Sequence, residues 1–438
     1  MALIGTIPRR AVNLPGGALR TLVGCTLRGR LVDGPDLAAF ERRFADWLGT
    51  GHVLGAAQGR SAFQLALMAL DLPQGAEIVF PSFTFPVMPM VAKLLGYEPV
   101  FCDVDPRTFN AGRKEIEAVL SDRTGAVLAT HLFGMPCPIE DIAALARERG
   151  FRLMEDCAHA LGVRVGGRSV GTFGDVGIFS FAEGKNMPCM GGGAIATADE
   201  GIAARARAVL AAAARPSAKE VRQEGTGVWL HWLATRPLVF GLTAYQVLKL
   251  KLRGGQPLMD SEVGDALLER FRASDPRIQP LANLQAAIGL RQLEVIDRFN
   301  SGARRNAEVL TEELGDVPGV TAPPMDGDHI YVYYPLRVDP ALRDDLRHFL
   351  LRRGVDAKKT DMGDCAQLRA FREGKDPATL PPDRTPTETS ILEICVYPIL
   401  SERQMRRVAR AIRDWSRLRR GPGSLPAGRG DAARKIAV

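Results

Sequence analysis

The chain has 438 residues, 46% hydrophobic and 24% charged, with a net charge of +7. That length predicts two domains and a large core, and a mean hydropathy of −0.04 matches ordinary soluble proteins. The seven cysteines form no CxxC pair and no metal-ligand spacing with histidine, which excludes the common zinc signatures and reads as free thiols in a reducing compartment.

The N-terminus, "MALIGTIPRRAVNLPGG", lacks the apolar run of a secretion signal, so a cytoplasmic protein is expected. Residues 35–48, "PDLAAFERRFADWL", have helical apolar spacing. "HVLGAAQGRSAFQLALMAL" reads as a strand, a turn at Gln58-Gly59 and a helix beginning near Ser61. "EIVFPSF", "EPVFCDV", "GAVLATHLFG" and "FRLMEDCAHALG" continue as strands, alternating with helix-like segments such as "IEDIAALARERG". Such alternation predicts an α/β fold with right-handed crossovers and a mainly parallel sheet. Ligands of such sheets bind at the carboxyl ends of strands. Gly59, Thr84, His131, Asp156 and Ser180 fall there.

Val228 to Leu252, "VWLHWLATRPLVFGLTAYQVLKLKL", is apolar and aromatic but interrupted by His231, Arg236, Pro237 and Lys249. A buried or oligomer-interface helix pair is the plain expectation. A peripheral membrane contact at the inner face of the membrane is the sharper one, because Trp and Tyr mix with cationic flanks. The stretch 283–314 is strongly helical and is read as the link to a smaller α+β domain. The expected division is 1–282, a large domain with an insertion at about 216–270, then 283–420, then a disordered basic tail at 421–438. The basic excess carries no nucleic-acid motif, so no nucleic-acid partner is expected.

"IFSFAEGKNMPCMGGG" holds a lone lysine, Lys185, after an apolar strand and before Gly191 to Gly193. A held lysine that can shed its proton can form a Schiff base with an aldehyde cofactor. Pyridoxal phosphate then needs a carboxylate for its ring nitrogen, hydroxyls and helix-start amides for its phosphate, and an apolar face over its ring. Asp156, Ser180, the turn Gly59-Arg60-Ser61 and Phe85 offer these groups in that order of need.

The order and spacing of "LVDGPDLAAFERRFADWLG", "PSFTF", "GYEPVFCDVDPRTFN", "THLFGMP", "EDCAHALG", "GTFGDVGIFSF", "KN" and "NLQAAIGLRQLE" resemble the DegT/StrS family of pyridoxal-phosphate sugar aminotransferases, from about Leu31 to Ile412. The resemblance implies fold type I, a homodimer, and pyridoxal 5'-phosphate attached to Lys185. It implies Asp156 at the ring nitrogen, His159 beside the ring and Phe85 stacked on it. Ser180, with the amides of Arg60 and Ser61 after Gly59, would hold the phosphate. No metal is expected. The implied activity moves an amino group from an amino acid, glutamate by resemblance, to a keto sugar or a lipid-linked or amphipathic acceptor. Lys185 separates the chain from the dehydratase branch, which carries histidine there. The alternative is a protein of the same fold that binds cofactor without turnover or acts as a membrane-surface scaffold. Its motive lies in departures from the family pattern: Arg60 in place of threonine, Gly191 in place of glutamate, and Ile278 where the partner subunit's asparagine is expected, with Arg277, Gln279 and Asn283 as possible replacements.

Overall fold

A computed structural model describes residues 5–258, 264–273, 277–375, 380–382 and 385–419. The proposed basic tail lies outside these residues.

The apolar runs form the expected strands β1 (His52–Ala56), β2 (Glu77–Pro81), β3 (Glu98–Cys102), β4 (Thr124–Thr130), β5 (Arg152–Asp156) and β6 (Val176–Ser180), and a further strand, β7 (Gly193–Thr197), follows the glycine cluster. They make one seven-stranded sheet in the order β1-β7-β6-β5-β4-β2-β3. Only β7 runs against its neighbours. Helices cover both faces, which explains why the central strands are apolar without alternation. Among them, α1 (Ala18–Leu27) and α2 (Asp36–Leu48) precede β1, and α3 (Gly59–Leu70) follows it. In α2, Phe40, Phe44 and Leu48 recur every fourth residue and are buried, and Gly49 ends the helix at φ 78°.

The apolar segment at 228–252 is not one helix. It is the end of α4 (Ala218–Ala234), then α5 (Pro237–Leu242) and α6 (Ala244–Arg253). Pro237 cannot continue a helix through its missing N–H, so it starts a new one. Phe240, Tyr245 and Leu248 pack with Leu351, and the Tyr245 hydroxyl donates to the Leu351 carbonyl at 3.1 Å. Among the described residues no helix is long and apolar enough to cross a membrane.

The helical stretch at 283–314 also divides, into α7 (Asn283–Leu293) and α8 (Ile296–Leu314). Beyond it, β8 (Val320–Thr321), β9 (Tyr334–Val338), β10 (Lys358–Lys359) and β11 (Ile391–Ile394) form an antiparallel sheet in the order β8-β9-β11-β10. α9 (Pro340–Arg352) and α10 (Glu402–Arg419) accompany it. Two long-range contacts close this sheet onto the large one. Phe83-Thr84 pairs with Gly363-Asp364, and Ile7 near the N-terminus bridges Val355. The first brings the segment that follows β10 to the carboxyl end of β2, and the second ties the N-terminal segment to the residues just before β10.

Candidate active site

A cavity of about 690 Å³ opens at those strand ends. Gly59, Arg60, Phe85, Asp156, His159, Ser180 and Lys185 all line it. Ser61 does not; it is buried and its hydroxyl donates to the Arg277 carbonyl at 3.3 Å.

Lys185 follows β6 on a loop held from two sides. The Tyr333 hydroxyl donates to the Gly184 carbonyl at 2.9 Å. A Cβ at 184 would lie 2.7 Å from that hydroxyl, so a larger residue there would push the Tyr333 hydroxyl aside. On the other side Asn186 donates to Asn300 at 3.0 Å, and Asn300 donates to the Leu161 carbonyl at 2.9 Å. Burial pulls the Lys185 amine down to about 8 against the attraction of Asp156, and the charge of Lys358 adds to the fall. A lysine in that range gives up its proton near neutrality, as a nucleophile or general base must.

Asp156 ends β5 and accepts the Ala158 N–H at 3.0 Å. Burial raises its carboxyl, and the Ala158 N–H and Lys185 oppose the rise. His159 is buried and accepts the Phe133 N–H on Nδ1 at 3.2 Å, which places its own proton on Nε2. Burial, with Lys185, Lys358 and Arg10 nearby, holds this imidazole well below its usual range, so it is neutral.

α3 opens on Gly59, and no side chain caps it. Its free first-turn N–H groups make an anion site. A Cβ on Gly59 would lie 2.8 Å from Ser180 Oγ, so the hydroxyl sits against the helix start. The hydroxyls of Thr84 and Thr130 are buried, face no hydrogen-bond partner and line the same cavity. Unpaired buried hydroxyls are costly, and a polar ligand would satisfy them. This donor set fits pyridoxal phosphate: an amine, a carboxylate, a neutral imidazole, an aromatic ring and a helix start with a hydroxyl.

The opposite wall carries residues that the sequence did not point to. Arg10 pairs with Asp361 at 2.8 Å; Lys358 pairs with Asp361 at 2.5 Å and with Glu393 at 3.0 Å. Lys358 also stands 4.5 Å from the Tyr333 ring centre. Glu183 pairs with His231 of α4 at 2.9 Å. Of the candidate replacements for the partner's asparagine, Asn283 is committed within its own chain, to Asp36 and the Arg30 carbonyl.

His131, Glu155 and Cys157 place potential metal ligands within 4.8 Å of one another. They are already used: Glu155 accepts the N–H groups of Gly171, Phe173 and Gly174 and meets His131 at 3.2 Å, and His131 Nδ1 accepts the Cys137 N–H. The cluster fastens the 171–174 turn to the sheet. All seven cysteines are free thiols.

Residues 18–230 and 279–413 match the model of the DegT/DnrJ/EryC1/StrS aminotransferase family. The chain is 42% identical over 162 residues to a UDP-N-acetyl-3-dehydro-alpha-D-glucosamine 3-aminotransferase of Acidithiobacillus ferrooxidans, a match covering 37% of this chain and 44% of that one. It is 27% identical over 362 residues to the GDP-perosamine synthase of Vibrio cholerae, covering 80% of this chain and 84% of that one. Among solved structures, the aminotransferase TlmJ from Streptoalloteichus hindustanus superposes with a TM-score of 0.73 at 26% identity, covering 93% of this chain and 98% of that one.

Proposed function

Because the chain belongs to the DegT/DnrJ/EryC1/StrS aminotransferase family, we propose that it is a pyridoxal-phosphate-dependent aminotransferase that moves an amino group from an amino acid, glutamate, to a keto sugar. The observation that carries this reading is the convergence of Lys185, Asp156, His159, Phe85, Ser180 and the start of α3 on one cavity. Pyridoxal phosphate, when bound, supplies an electron sink for breaking a bond to a substrate carbon. Lys185 would hold it covalently, Asp156 would meet its ring nitrogen, and Ser180 with the amides of α3 would take its phosphate. Phe85 would cover the ring.

The chain's own residues then have definite tasks. Lys185 Nζ, with a pKa of about 8, takes a proton from a substrate carbon and returns it elsewhere, as general base and then acid. The Asp156 carboxylate keeps a proton on a nitrogen placed against it, by charge and by hydrogen bond. His159 donates its Nε2–H without carrying charge. Arg10 and Lys358 present cations to the carboxylate of the donor. Borohydride reduction followed by peptide mapping tests the assignment: the expected label is on Lys185, and label on another lysine would sink it. An absorbance band of the bound cofactor that bleaches with glutamate separates turnover from binding alone.

The working unit in this proposal is a homodimer, as in the family resemblance. Light scattering at low concentration should give twice the chain mass of 47.5 kDa.

A second reading concerns the acceptor and rests on α4 to α6. This segment lies mostly in the gap between the two stretches that match the family model. Leu230, Leu238, Leu242, Val247 and Leu250 are each more than half exposed, from 52% to 65%. Val247 and Leu250 share one side of α6, whose other side buries Tyr245 and Leu248. Lys249, Lys251 and Arg253 flank them. Apolar side chains beside cations suit the headgroup layer of an anionic membrane, and a membrane-held enzyme suits an amphipathic or lipid-linked acceptor. Co-sedimentation with anionic vesicles at low and high salt tests this contact. If the protein stays in the supernatant and deletion of 228–252 breaks the dimer, the face belongs to a second copy instead.

A further inference from the structure

One oxygen atom holds both cations of the cavity's opposite wall. Arg10 Nη2 and Lys358 Nζ donate to the same Asp361 Oδ2, at 2.8 and 2.5 Å. All three residues line the cavity, and Glu393 lines it beside them. The cations themselves are fixed in place. Arg10 sits on an N-terminal segment tied to three other elements. Arg9 pairs with Asp356, the Tyr397 hydroxyl donates to the Pro8 carbonyl at 3.2 Å, and Gln292 donates to the Asn13 carbonyl at 2.9 Å. Lys358 lies in β10, 4.5 Å from the centre of the Tyr333 ring, and meets Glu393 at 3.0 Å.

The two carboxylates are held differently. Glu393 lies within β11 at 2% side-chain exposure, as a permanent partner of Lys358. Asp361 is 22% exposed and stands on the turn between β10 and the Gly363-Asp364 pairing, where the Met362 N–H donates to Thr360 Oγ1 at 3.1 Å. Two cations against two carboxylates leave these four residues with no surplus positive charge. The neighbouring arginine shows what a fully used guanidinium looks like: Arg9 grips Asp356 with Nε at 2.7 Å and Nη2 at 2.9 Å, the parallel two-bond fork. In Arg10 only Nη2 meets Asp361, and the buried Nε–H faces no acceptor. The wall is thus suited to a carboxylate, and one of its own, loosely held, is on it.

We propose that Asp361 is an internal stand-in for a substrate carboxylate: it yields Arg10 and Lys358 to the amino acid donor and takes them back when the keto acid leaves. One cavity then serves in turn a donor that brings a carboxylate to this wall and a sugar acceptor that brings none. The proposal rests on the reading of Arg10 and Lys358 as the donor's carboxylate site. Asp361 is a positioning residue, acting on donor affinity through the two cations. Its return spares the emptied cavity two uncompensated charges. Its price is affinity, because the donor binds only the wall that Asp361 has released. If Asp361 holds the cations about nine-tenths of the time, the donor binds roughly tenfold more weakly than to a wall that it never holds.

The test is calorimetric titration of the full-length chain with glutarate, a dicarboxylate with no group to react, and with 2-oxoglutarate. Asp361→Asn should bind both roughly tenfold tighter. Arg10→Gln should bind both more weakly, and in the Asp361→Asn/Arg10→Gln double variant most of the gain should vanish. With cofactor bound, Asp361→Asn should lower the half-saturating glutamate for bleaching and tighten inhibition by 2-oxoglutarate by the same factor. A merely structural role would not move the two together. Asp361→Ala should share the sign of Asp361→Asn, and thermal unfolding of each variant reports whether it folds. If Arg10→Gln weakens glutarate but Asp361→Asn leaves it unchanged or weaker, the stand-in role is overturned and the donor site stands. If Arg10→Gln leaves both dicarboxylates unchanged, the donor-site reading fails and the stand-in role fails with it.

Discussion

The two walls of the cavity are built by different rules. On the sheet side, Gly59, Thr84, Thr130, Asp156, Ser180 and Lys185 come from strand ends or the turns just after them. A parallel sheet brings such positions together automatically. On the other side, Arg10, Glu224, Tyr333, Lys358, Asp361 and Glu393 come from the N-terminus, a helix and the smaller sheet. Apart from the Lys358–Asp361 pair, three residues apart, they are brought together by long-range pairing, as where Gly363 lies opposite Thr84. In the proposed reaction the first wall carries the groups that react. The second bears on their charge, since Lys358 and Arg10 both help lower the Lys185 amine.

The largest expected effect breaks the first wall at its centre. Lys185→Ala should abolish covalent cofactor attachment and cut turnover by roughly 10⁴-fold, the upper range for loss of a general acid–base; borohydride trapping and steady-state rates read both. Next, Asp156→Asn should leave the cofactor bound but lower turnover by roughly 10²–10³-fold. Near-normal turnover in that variant would show that the carboxylate does not act on the ring nitrogen.

The second wall should respond in stability and pH rather than in outright loss. Lys358 and Glu393 are buried at 5% and 2% side-chain exposure. Lys358→Met leaves Glu393 without its cation and should cost about 3 kcal/mol in denaturant unfolding. The same variant sharpens the comparison between the walls. The rate of covalent capture by wild type should rise with pH through about 8, where Lys185 loses its proton, and level off above. Lys358 disfavours the Lys185 ammonium, so its removal should raise that midpoint. An unmoved midpoint would mean that the two walls are electrostatically independent.

Tyr333→Phe keeps the ring beside Lys358 but loses the bond to the Gly184 carbonyl. It should cost about 1 kcal/mol and a few-fold in rate, through a looser Lys185 loop. The smallest effect on either wall comes from the exposed face: Leu238→Glu with Leu250→Glu should abolish vesicle binding while stability stays within about 0.5 kcal/mol. Unchanged sedimentation with anionic vesicles would remove the membrane reading.

The sheet wall was legible because its signals are local. An apolar run followed by a polar residue marks a strand end, and the lone Lys185 before a glycine cluster marks a loop that must fit tightly. The fold class followed from the same alternation of strands and helices. Local pattern also showed the insert as apolar and interrupted, but not its break into α4, α5 and α6, with one face against Leu351 and the other exposed.

The amino-acid sequence by itself determined the order of the elements, the parallel sheet and the set of groups suited to pyridoxal phosphate, because those depend on period, turn chemistry and residue type within short windows. Tertiary structure alone decided that Tyr333 pins the Lys185 loop, that Arg10 and Lys358 face the cavity, and that a carboxylate from α4 takes the place Gly191 leaves empty. These contacts join residues tens to hundreds of positions apart. Their geometry is set by how whole elements pack, and no spacing along the chain encodes it.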